Sequence, residues 1–95
     1  MGEATYYEAN GTGSCGTKIS DDQLLAAMND EQYTKAMCGR CVSVQGPNGT
    51  VVVKIVDLCP GCKRGDLDLS STAFQKIAKL SAGRVKITWQ FTTCP

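Results

Sequence analysis

The chain has 95 residues, 42% of them hydrophobic, with ten Lys and Arg against nine Asp and Glu. That size and mix fit one compact domain over residues 1–95 and exclude wholesale disorder, and a net charge of +1 supplies no basic field for a nucleic-acid backbone. Histidine is absent, which excludes Ser-His-Asp and Cys-His nucleophiles and any histidine-held metal.

Met1-Gly2 reads as an initiator placed before a mature chain, with no charged-then-apolar leader behind it and no apolar run approaching a membrane span. Glu3–Glu8 reads as a short strand with Thr5 and Tyr7 on one face and Tyr6 on the other, because side chains alternate along a strand. A Gly/Ser-rich loop follows over Asn10–Gly16. Ser20, with Gln23 three residues on, is a capping-box pattern and predicts a short helix through Met28, ended by Asn29. Glu31–Met37 reads as a further helical turn or a loop. Cys41–Gln45 alternates and Val51–Val56 is β-branched almost throughout; Gly46-Pro47-Asn48-Gly49 between them makes a β-hairpin. Ser70–Leu80 predicts an amphipathic helix, with Ala73, Phe74, Ile77 and Ala78 on its apolar face and Gly83 as a stop. Val85, Ile87, Trp89 and Phe91 then alternate with Lys86, Thr88 and Gln90, as in a strand with one buried face, which assigns Trp89 to packing. Asn10-Gly11-Thr12 and Asn48-Gly49-Thr50 are glycosylation sequons at Asn10 and Asn48, and Asn-Gly is equally a turn dipeptide.

The six cysteines admit three chemistries. Cys38-Gly39-Arg40-Cys41 and Cys59-Pro60-Gly61-Cys62, with seventeen residues between the pairs, match the spacing of a four-thiolate zinc site. A strand running into Cys59-Pro60-Gly61-Cys62 also resembles a dithiol redox site, but Lys63-Arg64-Gly65-Asp66 lacks the helical composition that would lower a thiol pKa. Zinc leaves Cys15 and Cys94 without a role. An even count in a small chain bearing sequons favours structural disulfides, with no metal or cofactor, and fifteen pairings remain open. Without histidine, acid–base work falls to carboxylates. Asp57 ends the β-branched strand, and Asp66 and Asp68 precede the second helix, where Asp68 and Ser70 could simply prepare its cap. Two acids brought close together raise one pKa, and glycoside cleavage uses such a pair.

In order, Ala4-Thr5-Tyr6-Tyr7, Ser14-Cys15-Gly16, Cys38-Gly39-Arg40-Cys41, Val56-Asp57-Leu58-Cys59-Pro60-Gly61-Cys62, Asp66-Leu67-Asp68-Leu69-Ser70 and Ile87-Thr88-Trp89-Gln90-Phe91 resemble one family over residues 2–94. It is the double-psi β-barrel shared by expansins, barwin-like proteins and family-45 endoglucanases, and the chain is most similar to the single-domain fungal expansin-like proteins called loosenins. The resemblance implies a mainly β, disulfide-stabilised, six-stranded barrel, here with two short helices, carrying an open polysaccharide groove. It implies a secreted, monomeric protein that loosens cellulose, xyloglucan or another β-1,4-glucan, or chitin, without hydrolysis. In the family's pattern Asp68 is the essential acid, Asp57 and Thr5 orient it, and Tyr7 offers a sugar-facing ring. By analogy with barwin-like proteins the pairs are Cys41–Cys94, Cys15–Cys38 and Cys59–Cys62.

The departures refine the expectation. Family-45 enzymes place a catalytic base shortly after the tyrosine motif; here Tyr6-Tyr7-Glu8-Ala9 puts Ala9 there, with Glu8 one step away, so hydrolysis is disfavoured. Plant relatives have His-Phe where this chain has Asp66-Leu67, and bacterial expansins have an aromatic at Cys59. The end at Pro95 implies no carbohydrate-binding module. The alternatives are a weak endoglucanase or lytic glycan-cleaving enzyme, although Cys59-Pro60-Gly61-Cys62 replaces the lytic transglycosylase loop, and a barwin-like or natriuretic-peptide-like binding or signalling module.

Overall fold

In chain order the strands are β1 (Gly2–Tyr7), β2 (Gly11–Thr12), β3 (Lys18–Ile19), β4 (Leu25–Asn29), β5 (Cys41–Gly46), β6 (Gly49–Cys59), β7 (Leu67–Ser70) and β8 (Val85–Thr92), with one α-helix, α1 (Ser71–Ile77). These come from a computed structural model that describes residues 2–95; Met1, read above as an initiator, lies outside them. Six strands close a barrel in the order β1-β7-β4-β6-β5-β8, with β8 returning to β1. β2 and β3 form a separate two-stranded ribbon. Parallel pairing of β1 with β7 and of β4 with β6 brings distant parts of the chain side by side.

The alternating segments form the expected strands. On β5 and β6, Val42, Val44, Val51, Val53 and Ile55 fill the barrel, with Pro47 and Asn48 at the hairpin turn. On β8 Ile87 is buried while Lys86, Thr88 and Gln90 face solvent. α1 seals one side of the barrel through fully buried Phe74 and Ile77. Its N-cap is Ser70, whose Oγ accepts the Ala73 amide at 3.3 Å. It stops at Ile77, short of Leu80, because Ala78 returns to extended backbone, and a 3₁₀ turn at Leu80–Ala82 ends at Gly83 with φ +70°.

One of the two expected helices is a strand. The capping-box pair makes only a turn, with the Ser20 amide donating to Gln23 Oε1 at 3.2 Å. Leu25–Asn29 is β4, buried at all five positions between β6 and β7. Leu-Ala-Ala-Met has helical propensity, but strand partners on both edges and burial on both faces override it. Glu31–Met37 is a turn followed by a 3₁₀ segment, Lys35–Met37.

Three disulfides, Cys15–Cys38, Cys41–Cys94 and Cys59–Cys62, take all six sulfurs. The two C-x-x-C pairs therefore do not converge on one cage: Cys38 is tied to the 10–16 loop and Cys41 to the C-terminal segment.

Candidate functional site

The site is a row of side chains crossing four neighbouring strands. Register places Asp57 of β6 opposite Ala27 of β4, Ala27 opposite Asp68 of β7, and Asp68 opposite Thr5 of β1. Neighbouring strands lie about 4.8 Å apart, so the row spans roughly 14 Å. Ala27, buried, stands between the two carboxylates in the register.

A β-bulge makes the row. Val51, Val53 and Ile55 point into the barrel, so strict alternation would send Asp57 inward after them. The β4–β6 register instead slips between Ala26 and Ala27: Ala26 faces Ile55, Ala27 faces Asp57, and Val56 is the extra residue. The slip turns Asp57 to the outer face. Val56 packs with Ala9, Ile19, Leu25 and the ring of Tyr7 in a second small cluster beside the row.

Asp57 is tightly held. Its Oδ1 accepts the Ser14 amide at 2.8 Å and the Leu58 amide at 2.9 Å, and its Oδ2 accepts the Tyr7 hydroxyl at 3.2 Å. Burial pushes its pKa up, but these donors and the Ser14 hydroxyl outweigh burial and hold it below the usual carboxylate range. Gly13 is required here: a Cβ would sit 2.3 Å from the Val56 carbonyl oxygen. The loop bearing Ser14 is fastened by the Cys15 amide to Val56 O at 3.2 Å and by Cys15–Cys38.

Asp68 is loosely held. Its Oδ1 accepts the Thr5 hydroxyl at 2.9 Å. Among the described residues Oδ2 has no partner, and no buried side-chain oxygen or nitrogen lacks one, so Oδ2 reaches solvent. Burial raises the Asp68 pKa by more than the Thr5 hydrogen bond lowers it, and a lesser rise from the charge of Asp57 is set against a lowering by Arg84. Tyr7 is driven above its normal value by burial first and then by Asp57. Its ring is half-buried against the second cluster and its hydroxyl donates to Asp57.

Ala9 is fully buried, its amide donating to Asp21 Oδ1 at 3.1 Å, while Glu8 is exposed. Asp21 takes the Ser71 amide at 2.9 Å and the Ser71 hydroxyl as well, so it secures the start of α1. Trp89 is half-buried. Its indole N–H donates to the Gly65 carbonyl at 2.8 Å, and Phe91 meets it edge-on at 5.6 Å. Sequence reasoning missed Glu3 and Arg84, which meet beyond Thr5 at 3.1 Å although 81 positions apart. Asp66, singled out in the sequence beside Asp68, lies against both, accepting the Glu3 amide at 2.9 Å and lying 3.9 Å from Arg84. Asn10 and Asn48 are both exposed. Among the described residues no helix is long and apolar enough to cross a membrane.

The double-psi β-barrel family model described as "Lytic transglycolase" matches residues 1–89. The chain is 39% identical over 99 residues to a papain inhibitor of Streptomyces mobaraensis, covering 95% of this chain and 69% of that protein. It is 36% identical over 101 residues to the expansin YoaJ of Bacillus subtilis, covering 99% and 44% respectively. An expansin of Clavibacter michiganensis matches in structure with TM-score 0.89 at 35% identity, over 99% of this chain and 50% of that one; a mutant of it is known in complex with cellohexaose. The chain thus spans about half the length of these expansins.

Proposed function

The chain belongs to the expansin-like double-psi β-barrel family, and on that premise we propose that its groove binds a single β-1,4-glucan chain and loosens cell-wall polysaccharide without cutting it. The observation that carries this reading is Asp68, fixed on one oxygen by Thr5 and open on the other, at the centre of a row crossing four strands. An acid so placed exchanges hydrogen bonds with sugar hydroxyls and competes with those that hold a glycan to its neighbours. Cellulose is the first substrate; xyloglucan and chitin carry the same equatorial linkage and are tested beside it. The protein acts as a secreted monomer outside the cell, its three disulfides suiting an oxidising compartment.

Hydrolysis needs a base as well as an acid. Asp57 is a poor base, because its lone pairs are occupied by amide and hydroxyl donors and its pKa is held low. Ala9, which the resemblance aligns with the family-45 base, carries no acid and is fully buried. We therefore expect pulldown on cellulose, xyloglucan or chitin, with mechanical weakening, no soluble reducing sugar, and loss of binding in Asp68→Asn.

Two specific observations sustain other readings. The raised pKa of Asp68 suits a proton donor, as a lytic or weakly hydrolytic enzyme would need; reducing ends or soluble peptidoglycan fragments released by the protein and not by Asp68→Asn would establish it. The similarity to a papain inhibitor suits a protein-binding module; stoichiometric inhibition of papain with no glycan retained would establish that instead.

A further inference from the structure

Beyond Thr5 the row opens into a polar pocket of about 320 Å³, walled by Glu3, Thr5, Cys62, Lys63, Asp66 and Arg84. That volume is at the lower end of small-molecule sites. The walls are held from outside. The Glu3 amide donates to Asp66 Oδ1 at 2.9 Å, buried Asn29 donates to the Asp66 carbonyl at 3.1 Å, and the Gly65 amide donates to Gln32 at 2.9 Å. Trp89 holds the Gly65 carbonyl, and Cys59–Cys62 closes the start of the same loop. Arg84 lies at 3.1 Å from Glu3 and 3.9 Å from Asp66, and its side chain, 56% exposed, lines the pocket with donors to spare. Its charge also reaches Asp68, whose proton affinity it lowers, so the pocket and the groove share one electrostatic environment.

We propose that this pocket is a second sugar subsite of the groove, taking a neutral, hydroxyl-bearing pyranose, with Arg84 as its donor and Glu3 with Asp66 as the pair that aims Arg84. The proposal rests on the glycan-binding reading above and extends it by one subsite. Thr5 belongs to both sites, so a chain lying on Asp68 continues over it into the pocket. The two cations, Lys63 and Arg84, balance the two anions, Glu3 and Asp66, which leaves no net field to select a charged sugar. What remains is closely spaced donors and acceptors, the arrangement that hydroxyl groups satisfy in both roles.

The test is amide chemical-shift mapping with cellohexaose on the folded protein, repeated for Arg84→Gln and Arg84→Lys. Shifts are expected at Ser14, Asp57 and Asp68 and also at Cys62, Lys63 and Asp66. Arg84→Gln should remove the second set, keep the first, and weaken binding roughly five- to tenfold, with partial recovery in Arg84→Lys. Shifts confined to Ser14, Asp57 and Asp68, with affinity unchanged in Arg84→Gln, would overturn the subsite and leave the groove reading standing. Tighter, salt-sensitive binding of an oligogalacturonate at the pocket would overturn the assignment to neutral sugars. No shift in either set with cellohexaose, xyloglucan or chitin oligosaccharides would overturn the groove reading and the subsite together.

Discussion

Asp57 and Asp68 stand two strands apart on one face of one barrel, and their surroundings treat them oppositely. Asp57 receives two backbone amides and a phenol, and its loop is stitched down by a disulfide. Asp68 receives one threonine hydroxyl and is more deeply placed than its hydrogen bonding compensates. The donors around the first carboxylate favour its charged form; the second keeps one oxygen without a protein partner, which leaves a place for a ligand hydroxyl. Chemistry within the row is divided by how many donors each acid is given, not by residue type.

The strongest way to break the comparison is to cut the stitch. Replacing Cys15 and Cys38 by Ser should cost about 3 kcal/mol in chemical denaturation, because the bond closes a 23-residue separation. The Ser14 amide should then exchange faster, and the Asp57 carboxyl should titrate closer to the usual range while Asp68 is little changed. Next is Asp57→Ala, which strands two amide donors and should cost about 1–3 kcal/mol. The effect depends on pH. The folded pKa of Asp57 is lowered, so its contribution is present above the unfolded value and is lost as pH falls through the folded value. Thermal unfolding of wild type and variant should therefore converge in acid.

Asp68→Asn inverts that sign. The folded pKa is raised, so wild-type stability is favoured below the unfolded value and is lost as pH rises through the folded value. The variant should be as stable as wild type or slightly more so at neutral pH, by about 0.5 kcal/mol, even as binding disappears. A neutral-pH loss equal to that of Asp57→Ala would end the distinction between the two acids. Tyr7→Phe removes one donor from Asp57 and leaves its two amide donors in place: a loss of about 0.5–1 kcal/mol is expected, with the Asp57 pKa rising by NMR titration.

Much of this is legible in the sequence. The β5–β6 hairpin and the alternation of β8 follow from side-chain period and turn residues, and Thr5 with Tyr7 on one face needs nothing more than the geometry of a strand. Three things were not legible. β4 carries a helix-forming composition and becomes a strand only because β6 and β7 flank it. The slip at Val56 is a property of the pairing between two strands, and without it the period sends Asp57 into the core. The Glu3–Arg84 pocket joins the two ends of the chain, and no local pattern connects them.

Thr5 and Asp68 reach one another through the parallel alignment of β1 with β7, across 63 positions of chain. Parallel neighbours cannot be joined by a tight turn, so this pair closes only through the long stretch of chain between them. The Thr5–Asp68 contact therefore depends on long-range closure of the barrel and not on any local segment. Glycan retention becomes a conformational assay in its own right: a destabilised variant should lose it in the same all-or-none step as its fold, while added ligand shifts that step toward the closed barrel by mass action.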